Sequence, residues 1–74
     1  MNATRQLTLQ QYIDALGQTN HCFCGNVKLE SNILKVVAKG APIAETYAQR
    51  IADYLTQEFG RPIKIADISD IRTV

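Results

Sequence analysis

The 74-residue chain has no apolar run approaching the roughly 18 residues that a membrane-spanning helix needs. Its first residues, MNATRQLTLQQ, lack the long apolar region of a signal peptide, so the expected compartment is the cytoplasm. Internal repeats, low-complexity stretches and linkers are missing too, and the length suits a single domain over residues 1–74. A domain this small buries a modest share of its surface, which makes self-association plausible.

Metal-ligating and nucleophilic side chains are scarce. The two cysteines, Cys22 and Cys24, are too close in sequence for an ordinary structural disulfide, and their spacing is not C-x-x-C. His21, Cys22 and Cys24 would supply three soft ligands, whereas a structural zinc takes four, usually as two separated pairs, and the chain has no other Cys or His. The plainer reading makes one cysteine a small buried apolar residue and leaves the other partly exposed. Neighbouring residues along a helix point in different directions, so His21 and either cysteine make a poor base–nucleophile pair. The expectation is therefore a protein without metal, cofactor or catalysis.

Strong net charge is also lacking. The total is +1, which argues against tight non-specific binding to nucleic acid, because phosphate neutralisation supplies most of that affinity. The charge is uneven, however. Residues 19–40 carry Lys28, Lys35 and Lys39 against Glu30, for a net +2, whereas residues 41–60 carry Arg50 against Glu45, Asp53 and Glu58, for a net −2. A local basic face suits a specific binder of modest affinity.

Present instead are short amphipathic blocks separated by punctuation. The first, at about 7–16, places Leu9, Tyr12, Ile13 and Leu16 at helical spacing. Thr8 and Gln11 stand in capping-box register, and Gly17 is a natural stop. The second, at about 19–27, starts with Thr19 or Asn20 as cap and turns Phe23, Cys24 and Val27 inward. Gly25 weakens it by about 1 kcal/mol relative to alanine, and a loop is the alternative. The third, at about 30–38, begins at Glu30 or Ser31 and turns Leu34 and Val37 inward, with Leu29 just before. Its β-branched Ile33, Val36 and Val37 also permit a strand, but the run is short and Gly40 and Pro42 end it. The fourth, at about 44–58, has the clearest stripe, formed by Ala44, Ala48, Ile51, Ala52, Leu55 and Phe59. Tyr47 and Tyr54 flank that stripe, and Gly60 stops the helix. In the tail, the spacing of Ile65, Ile68 and Ile71 predicts a short final helix at about 64–70.

An all-α chain of four to five short helices with these spacings resembles the Cro and phage-repressor (XRE-type) family of lambda-repressor-like helix-turn-helix domains. The resemblance runs from about Leu7 to Ile68. The family's second helix has an apolar residue, a small residue and an apolar residue three further on, here Phe23, Cys24 and Val27. A tight turn follows, then Leu29, the inward pair Leu34 and Val37, and Gly40 three residues later. The run Pro42-Ile43-Ala44-Glu45-Thr46-Tyr47-Ala48-Gln49-Arg50-Ile51-Ala52-Asp53-Tyr54-Leu55 is similar to the family pattern P-x-x-E-T-a-x-r-I-A-x-x-L. Lys28 stands where the family usually has a turn glycine, and the third helix carries no arginine.

The resemblance implies a third helix that enters the major groove of double-stranded DNA. Ser31, Asn32 and Lys35 would then face base edges, where Asn pairs with adenine and Lys reaches guanine acceptors. Asn20 matches a position that contacts phosphate or supports a base contact, and Lys28 and Lys39 would contact phosphates. The implied function is a transcriptional regulator, a repressor by preference, acting as a homodimer on a palindromic site. The alternative is an antitoxin-like or adaptor-like protein-interaction module that keeps the fold without binding DNA; the weak net charge and Glu30 favour it.

Overall fold

A computed structural model of the chain describes residues 7–74. It is a small, mostly α-helical domain with four helices, α1 (Leu9–Leu16), α2 (Asn20–Val27), α3 (Ser31–Ala38) and α4 (Glu45–Phe59). Two-residue strands, β1 (Pro42–Ile43) and β2 (Arg72–Thr73), and one 3₁₀ turn (Ile65–Asp67) complete it.

Local chemistry sets most of the helix ends. The Thr8 hydroxyl accepts from the Gln11 amide at 3.2 Å, and the Gln11 side chain accepts from the Thr8 amide at 2.9 Å, closing a capping box. Gly17 ends α1 in the left-handed region at φ 73°. The Thr19 hydroxyl caps α2 by accepting from the Cys22 amide at 3.1 Å. Gly60, at φ 69°, ends α4. The α3 start is less well tied: Glu30 is the cap residue, but its side chain makes no capping bond.

Each helix contributes one face to a single core. Leu9, Tyr12 and Ile13 of α1 meet Phe23, Cys24 and Val27 of α2, Val37 of α3, and Ala48, Ile51 and Leu55 of α4. Phe23, Ala48, Ile51 and Leu55 have no exposed surface. The Phe23 ring stands edge-on to Tyr54, with centroids 5.5 Å apart. Tyr47 and Tyr54 sit half-buried at the border of the α4 stripe. Leu34 is only half-buried, so the inward side of α3 rests mainly on Val37. Cys24 is buried and Cys22 is exposed.

The tail corrects the expectation of a wholly helical chain. In place of a helix at 64–70 there is one 3₁₀ turn, followed by extended chain. Its backbone groups pair at long range instead. Ile68 bridges Leu7 in parallel, and the Ser69 amide donates to the Leu7 carbonyl at 2.9 Å. Pro42 pairs with Arg72 and Ile43 with Thr73 in a parallel ladder, extended by the Val74 amide donating to the Ile43 carbonyl at 3.1 Å. Two side chains reinforce this closure. The Asp70 carboxylate accepts from the Leu9 amide at 2.8 Å, and the Tyr12 hydroxyl donates to the Asp67 carbonyl at 3.1 Å. Asp70 thus places a negative group on an otherwise unpaired amide at the positive end of α1. Ile63, Ile68 and Ile71 are buried, so this domain covers its own tail.

Candidate nucleic-acid interface

α2 and α3 are each eight residues long and are joined by Lys28, Leu29 and Glu30. That turn has an unusual backbone. Lys28 adopts φ 64° and ψ 52°, the one non-glycine residue with positive φ among the described residues. This is a conformation that glycine adopts freely and a side chain adopts at a cost. Several contacts hold it. The Lys28 amide donates to the Cys24 carbonyl, closing α2, and the Leu29 amide donates to the same carbonyl at 2.9 Å. The Arg50 guanidinium, 5.7 Å from the Tyr47 ring centroid, donates to the Lys28 carbonyl at 3.4 Å. Leu29 is buried beneath the turn. The Cys24 thiol lies 4.0 Å from the Glu30 carbonyl, and burial pushes its pKa up, so it stays a neutral packing group.

The exposed face of α3 follows from helical geometry. At ~100° per residue, Ser31, Asn32, Lys35 and Lys39 fall within one arc of about 100°. All four are exposed, whereas Val37 on the opposite side is buried. Ser31, Lys35 and Lys39 form a row at intervals of four residues, and no acidic residue occurs from Ser31 to Ala44.

A cleft of about 270 Å³ opens beside this row. Gln10 of α1, Asn20, His21 and Cys24 of α2, and Ser31, Leu34, Lys35 and Ala38 of α3 line it. It brings Asn20, Ser31 and Lys35 to one surface. Asn32 and Lys39 lie outside the cleft but on the exposed α3 face, and Lys28 stands apart in the turn. Leu34 packs against the core as expected but is only partly buried, and it also lines the cleft.

Gln10 has no counterpart among the residues singled out from the sequence. Its side-chain amide donates to Asn20 Oδ1 at 3.0 Å and to Asp14 Oδ1 at 3.0 Å. Asn20 is thereby held by its oxygen, which leaves its NH₂ group as a donor towards the solvent side. The sequence signal for Gln10 was slight: a polar residue on the outer face of α1, ten positions before its partner. Asp14, bonded to Gln10, Glu30 at the start of α3, and Asp70, which lines an adjoining pocket with Gln10, Leu34 and Ala38, set a limit on its positive potential. Among the described residues no group of three or more His, Cys, Asp or Glu side chains is arranged to hold a metal ion.

No family model, curated protein or solved structure matches this chain. Among the described residues no helix is long and apolar enough to cross a membrane.

Proposed function

We infer that this domain is a sequence-specific DNA-binding regulator of the Cro and phage-repressor type, with α3 as its recognition helix. The observation that carries this reading is the meeting of Asn20, Ser31 and Lys35 at one cleft beside an exposed α3 face that has no acidic residue. Asn32 on that face offers both a donor and an acceptor to an adenine edge, and Lys35 offers a cation to guanine acceptors. Lys28, Lys39 and the Asn20 amide are the proposed phosphate contacts, which fix register. Catalysis has no part in this reading. The regulator works in the cytoplasm as a homodimer on palindromic duplex DNA, with half-sites about one helical turn apart, repressing by occupancy.

The experiment is selection of bound sequences from random duplex DNA, followed by salt titration on the selected site. A shared palindromic sequence and an affinity that falls steeply with salt support the reading. The absence of binding at low salt favours the second reading, a protein-interaction module on the same fold. Asp14 and Glu30 beside the cleft, together with the net charge of +1, are the observations on that side.

A further inference from the structure

The α3 row does not stop at its last residue. Gly40 follows Lys39 with φ 80°, and the Arg72 side chain packs against it: a Cβ built on Gly40 would lie 3.8 Å from Arg72 Nε. The β1–β2 ladder sets this placement, because Pro42, two residues beyond Gly40, is the register partner of Arg72. A guanidinium supplied from the tail is thereby placed at the C-terminal end of α3, one residue beyond Lys39. Arg72 is exposed, and no hydrogen bond or ion pair engages its guanidinium among the described residues. The nearest acid of the tail, Asp70, is turned to the Leu9 amide.

We propose that Arg72 is a phosphodiester-binding residue that extends the α3 surface, gripping the DNA backbone beyond the base-facing half of the helix together with Lys39. The inference rests on the DNA-binding reading above and adds a contact from a different part of the chain. Geometry favours phosphate over a base edge. From Ser31 to Lys39 the row spans on the order of 12 Å, so its far end leaves the bases read by the first turn and approaches the strand that borders the groove. A guanidinium is suited to that contact because its planar donors match two phosphate oxygens at once. The competing role is structural. Arg72 and Lys39 also place positive charge at the negative end of the α3 dipole, and that role needs no DNA.

The two roles separate in a salt titration of the full chain on its selected duplex. Each phosphate contact contributes about 0.9 to the slope of log affinity against log salt. Arg72→Gln and Lys39→Gln are each expected to lower the slope by that amount and to weaken binding equally on all sequences. Lys64→Gln, on the far side of the 3₁₀ turn, is expected to leave the slope unchanged. Arg72→Lys is expected to keep the slope and lose part of the affinity. An Arg72→Gln slope equal to that of wild type, on a wild-type protein that binds, overturns the phosphate role and leaves the DNA reading standing. No wild-type binding at low salt overturns both. A measurement without any variant covers the case in which Arg72→Gln fails to fold. Phenylglyoxal labelling of the wild-type complex, read by mass spectrometry, is expected to show Arg72 protected by DNA and Arg61 labelled as in the free protein. Unprotected Arg72 in the complex overturns the proposal.

Discussion

The Gln10 side-chain amide holds Asn20 by its oxygen, at 3.0 Å, across the junction of α1 and α2. This bond orients the first residue of α2 at the edge of the cleft. Gln10→Ala is expected to weaken DNA binding nearly as much as Asn20→Ala, while the double variant loses little more than either. A double-mutant cycle of binding free energies checks this. Strict additivity of the two losses would show that Gln10 does not act through Asn20.

Asn32 carries the specificity prediction. Asn32→Ala is expected to cost ~1–3 kcal/mol at one base pair and to relax the preference there. Repeating the sequence selection with the variant reads the change directly, and an unaltered preference would remove Asn32 from the base-reading set.

Backbone conformation makes opposite substitutions stabilising at two nearby positions. Lys28→Gly releases the cost of a side chain at φ 64° and is expected to stabilise the fold by about 1 kcal/mol. Gly25→Ala, inside α2 with nothing within 4 Å of the added methyl, is expected to stabilise by about 0.5–1 kcal/mol. For a domain of this size a gain of about 1 kcal/mol amounts to roughly 4–8 °C in thermal midpoint, and half that gain to about half the shift. The two differ in function: Lys28→Gly also removes a proposed phosphate contact and should lower the salt slope, whereas Gly25→Ala should not.

Tyr12 predicts an alkaline limit to stability. Burial raises its pKa above 10.0, with nearby Arg61 working against the rise and Asp67 adding to it. The raised value means that the folded state keeps the phenol proton after the unfolded chain has begun to lose it. The stabilisation is therefore complete below about pH 10 and is lost as pH climbs through the folded value. Denaturant midpoints measured from pH 8 to 11.5 should fall across the upper part of that range. Tyr12→Phe should flatten the fall, at a cost of about 1 kcal/mol at neutral pH for the lost bond to the Asp67 carbonyl.

Much of the helical frame was legible because its causes are local. Thr8 with Gln11, Thr19, Gly17 and Gly60 announce ends within three or four residues, and the α4 stripe repeats often enough to fix its period. Lys28 was legible as a strained turn because the resemblance puts it where a glycine is expected. The tail was not. Isoleucines three apart suit a helix and equally suit one 3₁₀ turn running into extended chain. The choice is made by backbone partners at Leu7 and Ile43, far away in sequence. Strands of two residues carry no periodicity. Gln10 was missed for a related reason, since only the packing of α1 against the start of α2 brings it to Asn20. Arg72 was missed because its place beside Gly40 depends on that same unforeseen ladder.

The closure of Leu9 by Asp70 has a consequence for synthesis. The two residues are 61 positions apart. At translation rates of about 5–20 residues per second, roughly 3–12 s separate their appearance on the ribosome. Throughout that interval the first amide of α1 has no carboxylate over it, and Leu9 and Tyr12 lack the segment that seals them. Before the tail is made, the core cannot be closed. Because Arg72 arrives in the same final stretch as Asp70, the step that seals the core also sets the last cation beside α3. On the proposed DNA-binding reading, a chain whose tail has not docked lacks the Arg72 contact.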